Sequence, residues 1–573
     1  METSKSWSKS HYFFLFLLVA IGVALRFYEF DVRPLHHDES LHGLYSLYFY
    51  QDSANGFYKY NPLLHGPLLY HSLPWSYWLF GVSKFAIRAP SVLLGSLLLF
   101  LPFLFRHRLS RYTVLGLTLL IASSPTMIYW SRFIRHDNFI FAANMLLLFA
   151  LIKTVGIVRY TLVAMALSLQ FACKENSFIH IIFFLAFNIY EFFVIKVTNS
   201  PSQPIGSRFL RSIMNHKWSF LVSISLFIFI FSHYYTAGFV YWDGLLDGAY
   251  KKSLLYWFEQ HQKERISGPF SYSFLINSFF ESWWIPALIA HLVLFYKKQS
   301  SRVLIIFLSS FGISFLLHIS FGEPVEYYFL SKLLKLKIPL DYYLFFPLIF
   351  HSLILTTVYI IEQRRELALS GFFFFASLFT YSYLGEKVPW LALYPLVTGV
   401  IFFAFFFDRI FQKPILIVLL PLLFLNIKTM IWSNYTHSAH PNNLLSQVHT
   451  TSDFENLMTS TRKKMDQTPT KYLLIADSYT WPTTWYLHGS VGYHFREQGK
   501  AVEGYEFVLS KPEDERINIL LSPTHEKLTI PLRSWWLPRY EEITFSKAWN
   551  YFIQKEPWNG TGSNQVSLWT LKK

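Results

Sequence analysis

The chain has 573 residues, of which 53% are hydrophobic, 20% aromatic and only 15% charged, and its apolar residues fall in blocks too long for strands or ordinary amphipathic helices. That pattern excludes a string of soluble domains and points to helices that cross a bilayer. The formal net charge of +15 collects in short loops between apolar blocks, as orientation signals do, and so gives no support to nucleic acid as a partner; the single cysteine, Cys173, excludes an intrachain disulfide and a cysteine zinc cluster.

Lys5 and Lys9 precede an apolar stretch that runs into Arg26-Phe27-Tyr28-Glu29 without a small-x-small cleavage site, which predicts an uncleaved first membrane helix rather than a signal peptide. In chain order, apolar length predicts helices near 11–28, 86–105, 112–130, 138–155, 160–173, 178–196, 218–237, 273–296, 303–320, 340–361, 368–384, 389–407 and 413–431, about thirteen in all. With the amino terminus inside, the inner loops hold Arg106, Arg108 and Arg111; Lys153 and Arg159; Arg208, Arg211 and Lys217; Lys297, Lys298 and Arg302; Arg364 and Arg365; Arg409 and Lys413. One outer loop runs against this rule, with Lys332, Lys335 and Lys337 following Glu323 and Glu326. The expectation is a plasma (inner) membrane protein with a cytoplasmic amino terminus and residues 1–433 in the membrane domain. Residues 434–573 change composition and predict a soluble extracytoplasmic α/β domain, with Tyr472–Ala476 and Ile517–Leu521 as short buried strands.

Four acidic or basic segments fall on the outer side. Pro34-Leu35-His36-His37-Asp38-Glu39-Ser40-Leu41-His42 sets two carboxylates among three histidines in a loop after the first helix, a placement that is costly beside hydrocarbon. A carboxylate there can take a proton from an acceptor hydroxyl, or the loop can simply cap a following helix. A divalent metal held by His37, Asp38 and His42 is a further reading, although no HExxH occurs. Ser131-Arg132-Phe133-Ile134-Arg135-His136-Asp137 offers Arg132 and Arg135 for phosphate oxygens and Asp137 as another carboxylate, or an interfacial aromatic and arginine anchor. Lys174-Glu175 and Glu386-Lys387 are charged pairs at helix ends; either lysine can neutralise a leaving phosphate, or each pair can satisfy itself. In the tail, Trp481, Trp485 and Tyr486, and Trp535-Trp536, read as core before they read as sugar platforms.

The Asp-Glu pair after helix one, Arg88-Ala89-Pro90-Ser91 entering helix two, and Ser131-Arg132-Phe133 resemble the GT-C superfamily of polyprenyl-phosphate-sugar-dependent transferases. Within it, His36–Glu39, His65-Gly66-Pro67, Ser131–Arg135, Gly385-Glu386-Lys387-Val388-Pro389-Trp390 and Trp481–Leu487 resemble the prokaryotic family named for association with flippase activity. The resemblance implies a dolichyl-phosphate-mannose protein mannosyltransferase-like core, a lipid-linked donor entering from the bilayer, and a glycan, lipid or protein acceptor. It also implies Asp38 as the catalytic acidic residue of the first outer loop, Glu39 as its neighbour, and Asp137 as the acidic residue of the second. The leading expectation is a glycosyltransferase with Asp38 as general base and Arg132, Arg135 or Lys387 at the donor phosphate. The alternative is a non-catalytic factor in translocation of lipid-linked glycans; a secondary transporter comes third. No nucleotide-binding loop of the G-x-x-x-x-G-K-[ST] kind is present.

Overall fold

The computed structural model describes residues 7–572 except 53–57, 201–202, 257–267, 322–341, 409–418, 469–472, 476–479, 491, 496–501 and 503. The loop with Lys332, Lys335 and Lys337, and Arg409 with Lys413, lie outside the described residues, as does Tyr472 with the end of the strand expected there.

Helix α1 (Lys9–Phe27) turns Phe13, Phe14 and Phe16 outward, while Arg26 stays buried and donates to the carbonyls of Gly22 and Ile121. An all-round apolar helix with aromatic side chains outward is what lipid selects, since no water is there to reward a polar face. Among the described residues seven helices are long and apolar enough to span a membrane: Lys9–Phe27, Lys84–Leu104, His136–Lys153, Gly156–Cys173, Asn176–Thr198, Lys217–Tyr235 and Pro389–Phe407. Two bent pairs raise that to nine, and Ser301–Ser314 and Phe346–Ile361 are shorter apolar helices. The chain is an integral membrane protein of polytopic helical fold with a C-terminal sheet region.

Two expected continuous helices are broken. Arg111–Ser123 and Pro125–Ser131 meet at 59°, and Tyr272–Phe280 and Trp284–Tyr296 at 109°. Pro125 cannot donate to the preceding turn, so Ser124 ends one helix and starts the next. The breaks face each other. Glu281 accepts from Ser124 Oγ at 2.6 Å, Thr126 N at 3.1 Å and Trp283 Nε1 at 3.1 Å, while Asn426 Nδ2 donates to Ser123 O and its Oδ1 accepts from Ser282 N. Backbone groups freed inside the bundle thus find partners in the Glu281 side chain of the opposite break and in Asn426 of the helix Leu420–Ile431.

The segment His36–Glu39 is not a loop. His36 is the N-cap of α2 (His37–Gln51), its Nδ1 accepting from Asp38 N at 3.1 Å, and Glu39 Oε2 accepts from His36 N at 3.1 Å to complete a capping box. Helix α3 (Leu68–Phe80) follows and α4 (Lys84–Ser96) continues into the span to Leu104. Neither α2 nor α3 was legible from apolar length, because each is short and α2 is interrupted by polar residues.

The C-terminal region carries a six-stranded sheet in the order β1-β5-β6-β4-β2-β3. Its strands are β1 (His449–Thr450), β2 (Leu473–Ile475), β3 (Tyr493–Phe495), β4 (Phe507–Ser510), β5 (His525–Trp535) and β6 (Gly562–Leu571). β2 lies parallel to β3 and β4; the other pairs are antiparallel. Ile517–Leu521, expected as a strand, lies in the helix Glu515–Leu521. Asp514 caps it by accepting from Ile517 N, and burial falls on Ile517 and Leu521 while Ile519 stays exposed, a spacing of four that only a helix satisfies. Of the aromatic groups noted in the tail, Trp485, Tyr486 and Trp536 are buried in the core.

Candidate functional site

The turn between α1 and α2, the start of α4 and the segment after Pro125–Ser131 converge at one end of the bundle. Two neighbouring carboxylates meet this cluster with opposite surroundings. Glu39 is fully buried and faces Arg88, whose Nε and Nη2 donate to its two oxygens at 2.8 Å each. Arg88 Nη1 donates to Phe30 O and Arg33 O, and Nη2 also donates to Pro34 O. All five guanidinium N–H groups are therefore used within the protein, and none remains for a ligand. Ile134 N also donates to Glu39 Oε1 at 3.3 Å, which ties the second charged segment to the first. Burial alone would raise the Glu39 pKa, but Arg88 and then Arg33 pull it down to about 2.

Asp38, one residue earlier, remains about a third exposed, with a side-chain accessibility of 32%. Its Oδ2 accepts from Arg135 Nη1 at 2.7 Å, and Arg135 Nε donates to Asp137 Oδ2 at 3.3 Å, so one guanidinium bridges the two predicted carboxylates. Asp137 is buried and also accepts from Lys174 Nζ at 3.3 Å and Tyr394 Oη at 2.6 Å. The Arg135 guanidinium lies 3.7 Å above the Trp390 ring, which fixes its plane. Unlike Arg88, Arg135 keeps Nη2 without a bond among the described residues. Burial pushes the Asp38 pKa up; the opposing fields of His36, Arg135 and His37 outweigh it and hold the carboxyl well below the ordinary range, so it is ionised at neutral pH. Of these partners Arg135 carries a permanent charge.

The histidines line the same region. His42 Nδ1 lies 2.6 Å from Tyr70 Oη, and its ring stands 5.3 Å from that of His136. His65 is held at φ 62, a region costly for a residue with a Cβ, and there reaches Glu175 Oε2 at 3.0 Å and the His136 ring at 5.3 Å. Gly66 beside it sits where a Cβ would lie 2.3 Å from Ala172 O, so only glycine allows this approach to the end of the helix Gly156–Cys173. Burial first, and nearby positive charge second, lower His37 to about 4; burial lowers His42 to about 3, against the pull of Asp38.

Other predicted residues are placed differently. Arg132 is buried and donates to the carbonyls of Asn434, Tyr28 and Glu29, with its guanidinium over the Tyr435 ring, so it clamps the chain entering the sheet region to the end of α1. Lys387 donates to Ser382 O and Leu384 O, and Glu386 makes no ion pair with it. The Gly385–Trp390 segment meets the cluster through Trp390 instead. Lys174 and Glu175 do not pair with each other: the first goes to Asp137, the second to His65 and Tyr60. A metal is not matched by these donors. Among the described residues no three His, Cys, Asp or Glu groups converge as a metal site, and His37 Nδ1, Asp38 and His42 Nδ1 each face another protein partner.

Sequence reading missed Tyr394 and Arg533, which carry no local signal. Arg533 Nη2 lies 2.8 Å from His37 Nδ1 although the two are 496 positions apart.

No family model and no curated protein matches the sequence. Among solved structures, ArnT from Cupriavidus metallidurans in the apo state is similar at 12% identity, with 92% of this chain and 97% of that chain covered and a TM-score of 0.44. The same protein bound to undecaprenyl phosphate matches at 11% identity, 98% of each chain and a TM-score of 0.43. The oligosaccharyltransferase of Archaeoglobus fulgidus, in complex with Zn and sulfate, matches at 14% identity over 84% of this chain and 62% of that one, with a TM-score of 0.44.

Proposed function

We propose that the protein is a membrane glycosyltransferase that moves a sugar from a polyprenyl-phosphate donor to an acceptor hydroxyl on the extracytoplasmic side, with residues 434–573 as an extracytoplasmic domain over the site. One observation carries the reading: Asp38 is an open carboxylate whose partner, Arg135, keeps an unused donor edge, while the neighbouring Glu39–Arg88 pair is closed on itself.

In this reading the donor phosphate takes the free edge of Arg135, which binds planar oxyanions in a forked geometry. Asp38 accepts the proton of the acceptor hydroxyl as its oxygen bonds to the anomeric carbon, and the bond from that carbon to the phosphate oxygen breaks. The electron pair leaves with the lipid phosphate, whose charge Arg135 offsets. A carboxylate held far below its ordinary pKa is a weak base while Arg135 is its own. Once phosphate oxygens share that guanidinium, its pull on Asp38 weakens and Asp38 becomes more basic as the donor arrives. Asp137, Lys174 and Tyr394 act on the other side of Arg135 as positioning residues.

The test is release of free polyprenyl phosphate by purified protein in lipid, supplied with polyprenyl-phosphate sugar and acceptor. Asp38→Asn is expected to abolish release while leaving donor binding in place. Full transfer by Asp38→Asn would overturn the assignment, and binding without any release by the native protein would favour the translocation role.

A further inference from the structure

Three successive residues leading into Asp38 are each held by a different part of the C-terminal region. Leu35 N donates to Tyr486 Oη at 3.2 Å, His36 Nε2 donates to Gln447 O at 3.1 Å, and His37 Nδ1 lies 2.8 Å from Arg533 Nη2. The first two contacts close off their groups. The third does something different, because it leaves the other ring nitrogen of His37 open.

A guanidinium has donors and no acceptor, so His37 Nδ1 must offer its lone pair to Arg533. The proton of the neutral ring then sits on Nε2. No protein group bonds that nitrogen among the described residues, and the side chain is only half-buried. His36 carries the same tautomer, with Nδ1 accepting from Asp38 N, but spends its Nε2–H on the Gln447 carbonyl. Of the two adjacent histidines, one is therefore structural and one presents a free N–H beside Asp38.

Arg533 is aimed for this purpose by its strand. The β5–β6 ladder shifts register between Pro531 and Arg533, an irregularity of the kind that turns a side chain out of its regular alternation. The same Nη2 also donates to Trp481 O, and Trp481 packs against Tyr45 of α2, 5.8 Å between rings. The guanidinium is thus fixed between the sheet and the helix that bears His37.

We infer that Arg533 is a positioning residue that locks His37 as the Nε2–H tautomer, so that His37 gives a neutral hydrogen bond to a phosphate oxygen of the lipid donor. The ligand chemistry follows from the surroundings. A phosphate oxygen only accepts, and the two donor positions left unspent here, His37 Nε2–H and the Nη2 edge of Arg135, can both meet one, while the Asp38 carboxylate beside them is held by Arg135 Nη1. The groups whose charge reaches His37 are Arg533 from β5 and Asp38 and His36 from its own segment. Burial and Arg533 together keep the ring neutral, so the donor does not vanish or double in the physiological range. The inference rests on the donor reading of the site, though not on transfer.

The experiment measures binding of polyprenyl monophosphate, with no sugar attached, to the full-length protein in lipid nanodiscs, which keeps it independent of catalysis. Arg533→Met, which removes every donor at that position, is expected to weaken binding about tenfold, the value of one well-placed hydrogen bond to a charged group. In a His37→Gln background the side-chain amide can place its N–H near the position of Nε2 without any guanidinium, and there Arg533→Met should cost less than about twofold. Arg533→Lys, which keeps a donor to Nδ1, should retain most of the native binding. In the Arg533→Met protein with His37 intact, the pH dependence of binding should set in at a higher pH than in the native protein, because Arg533, the second-largest cause that lowers the ring, is gone while burial remains. Equal loss from Arg533→Met in both backgrounds, with no upward move of the pH dependence, would show that the residue only holds the fold and would overturn the inference. If polyprenyl phosphate binds as described and Asp38→Asn still transfers, only the catalytic reading fails.

Discussion

The Glu39–Arg88 pair and the Asp38–Arg135 pair are built from the same residue types and start from adjacent positions on α2, yet they differ in one respect that decides their use. Arg88 spends all five donors on Glu39 and three backbone carbonyls, so the pair is complete without a ligand. Arg135 spends donors on Asp38 and Asp137 and retains Nη2, while Asp38 stays accessible. In the proposed reading the satisfied pair serves the fold and the partly satisfied pair at the opening serves a ligand.

The comparison can be broken most sharply at the closed pair. Glu39→Ala or Arg88→Ala leaves an uncompensated buried charge and is expected to cost about 3–5 kcal/mol, read as a lowered thermal midpoint in detergent and loss of folded protein. Acid should act on the same pair. With its carboxyl at about 2 against an ordinary 4.5, Glu39 contributes stability that is complete above pH 4.5 and is lost as pH falls toward 2, roughly 3 kcal/mol in total. Melting followed from pH 6 downward checks it, and Glu39→Gln should flatten that dependence. At the open pair the order reverses: Asp38→Asn should lower transfer by at least about 100-fold with the melting midpoint nearly unchanged. Asp137→Asn, which loosens Arg135 without touching the ligand, should lower transfer about tenfold. Tyr394→Phe removes one donor to Asp137 and should lower it about threefold, the worth of a modest hydrogen bond. A melting loss for Asp38→Asn as large as that for Glu39→Ala would erase the distinction between the two pairs.

Much of the membrane region was legible in advance, since twenty apolar residues can hardly do anything else. The expected segment 178–196 appears as Asn176–Thr198, and 389–407 as Pro389–Phe407. What failed were the places where polar groups are satisfied from a distance. Glu281 at one break satisfies Ser124 and Thr126 at the other, Asn426 bonds to both, and no sequence segment shows its partner. The polar start of helix α2 resembles a loop in sequence, though the His36 and Glu39 capping contacts make those polar residues its beginning. Ile517–Leu521 read as a strand by composition, and only the burial of residues four apart distinguishes it as a helix.

By itself the sequence determined that the chain is a polytopic membrane protein, and it marked the segments where charge gathers, because transfer of apolar area and the cost of charge beside hydrocarbon depend on composition more than on partners. Which charges are used up and which are left open was decided only by the tertiary structure. Glu39 and Asp38 are neighbours in sequence and equal in chemistry; the fold gives one a guanidinium with no donor to spare and the other a guanidinium with an edge still free.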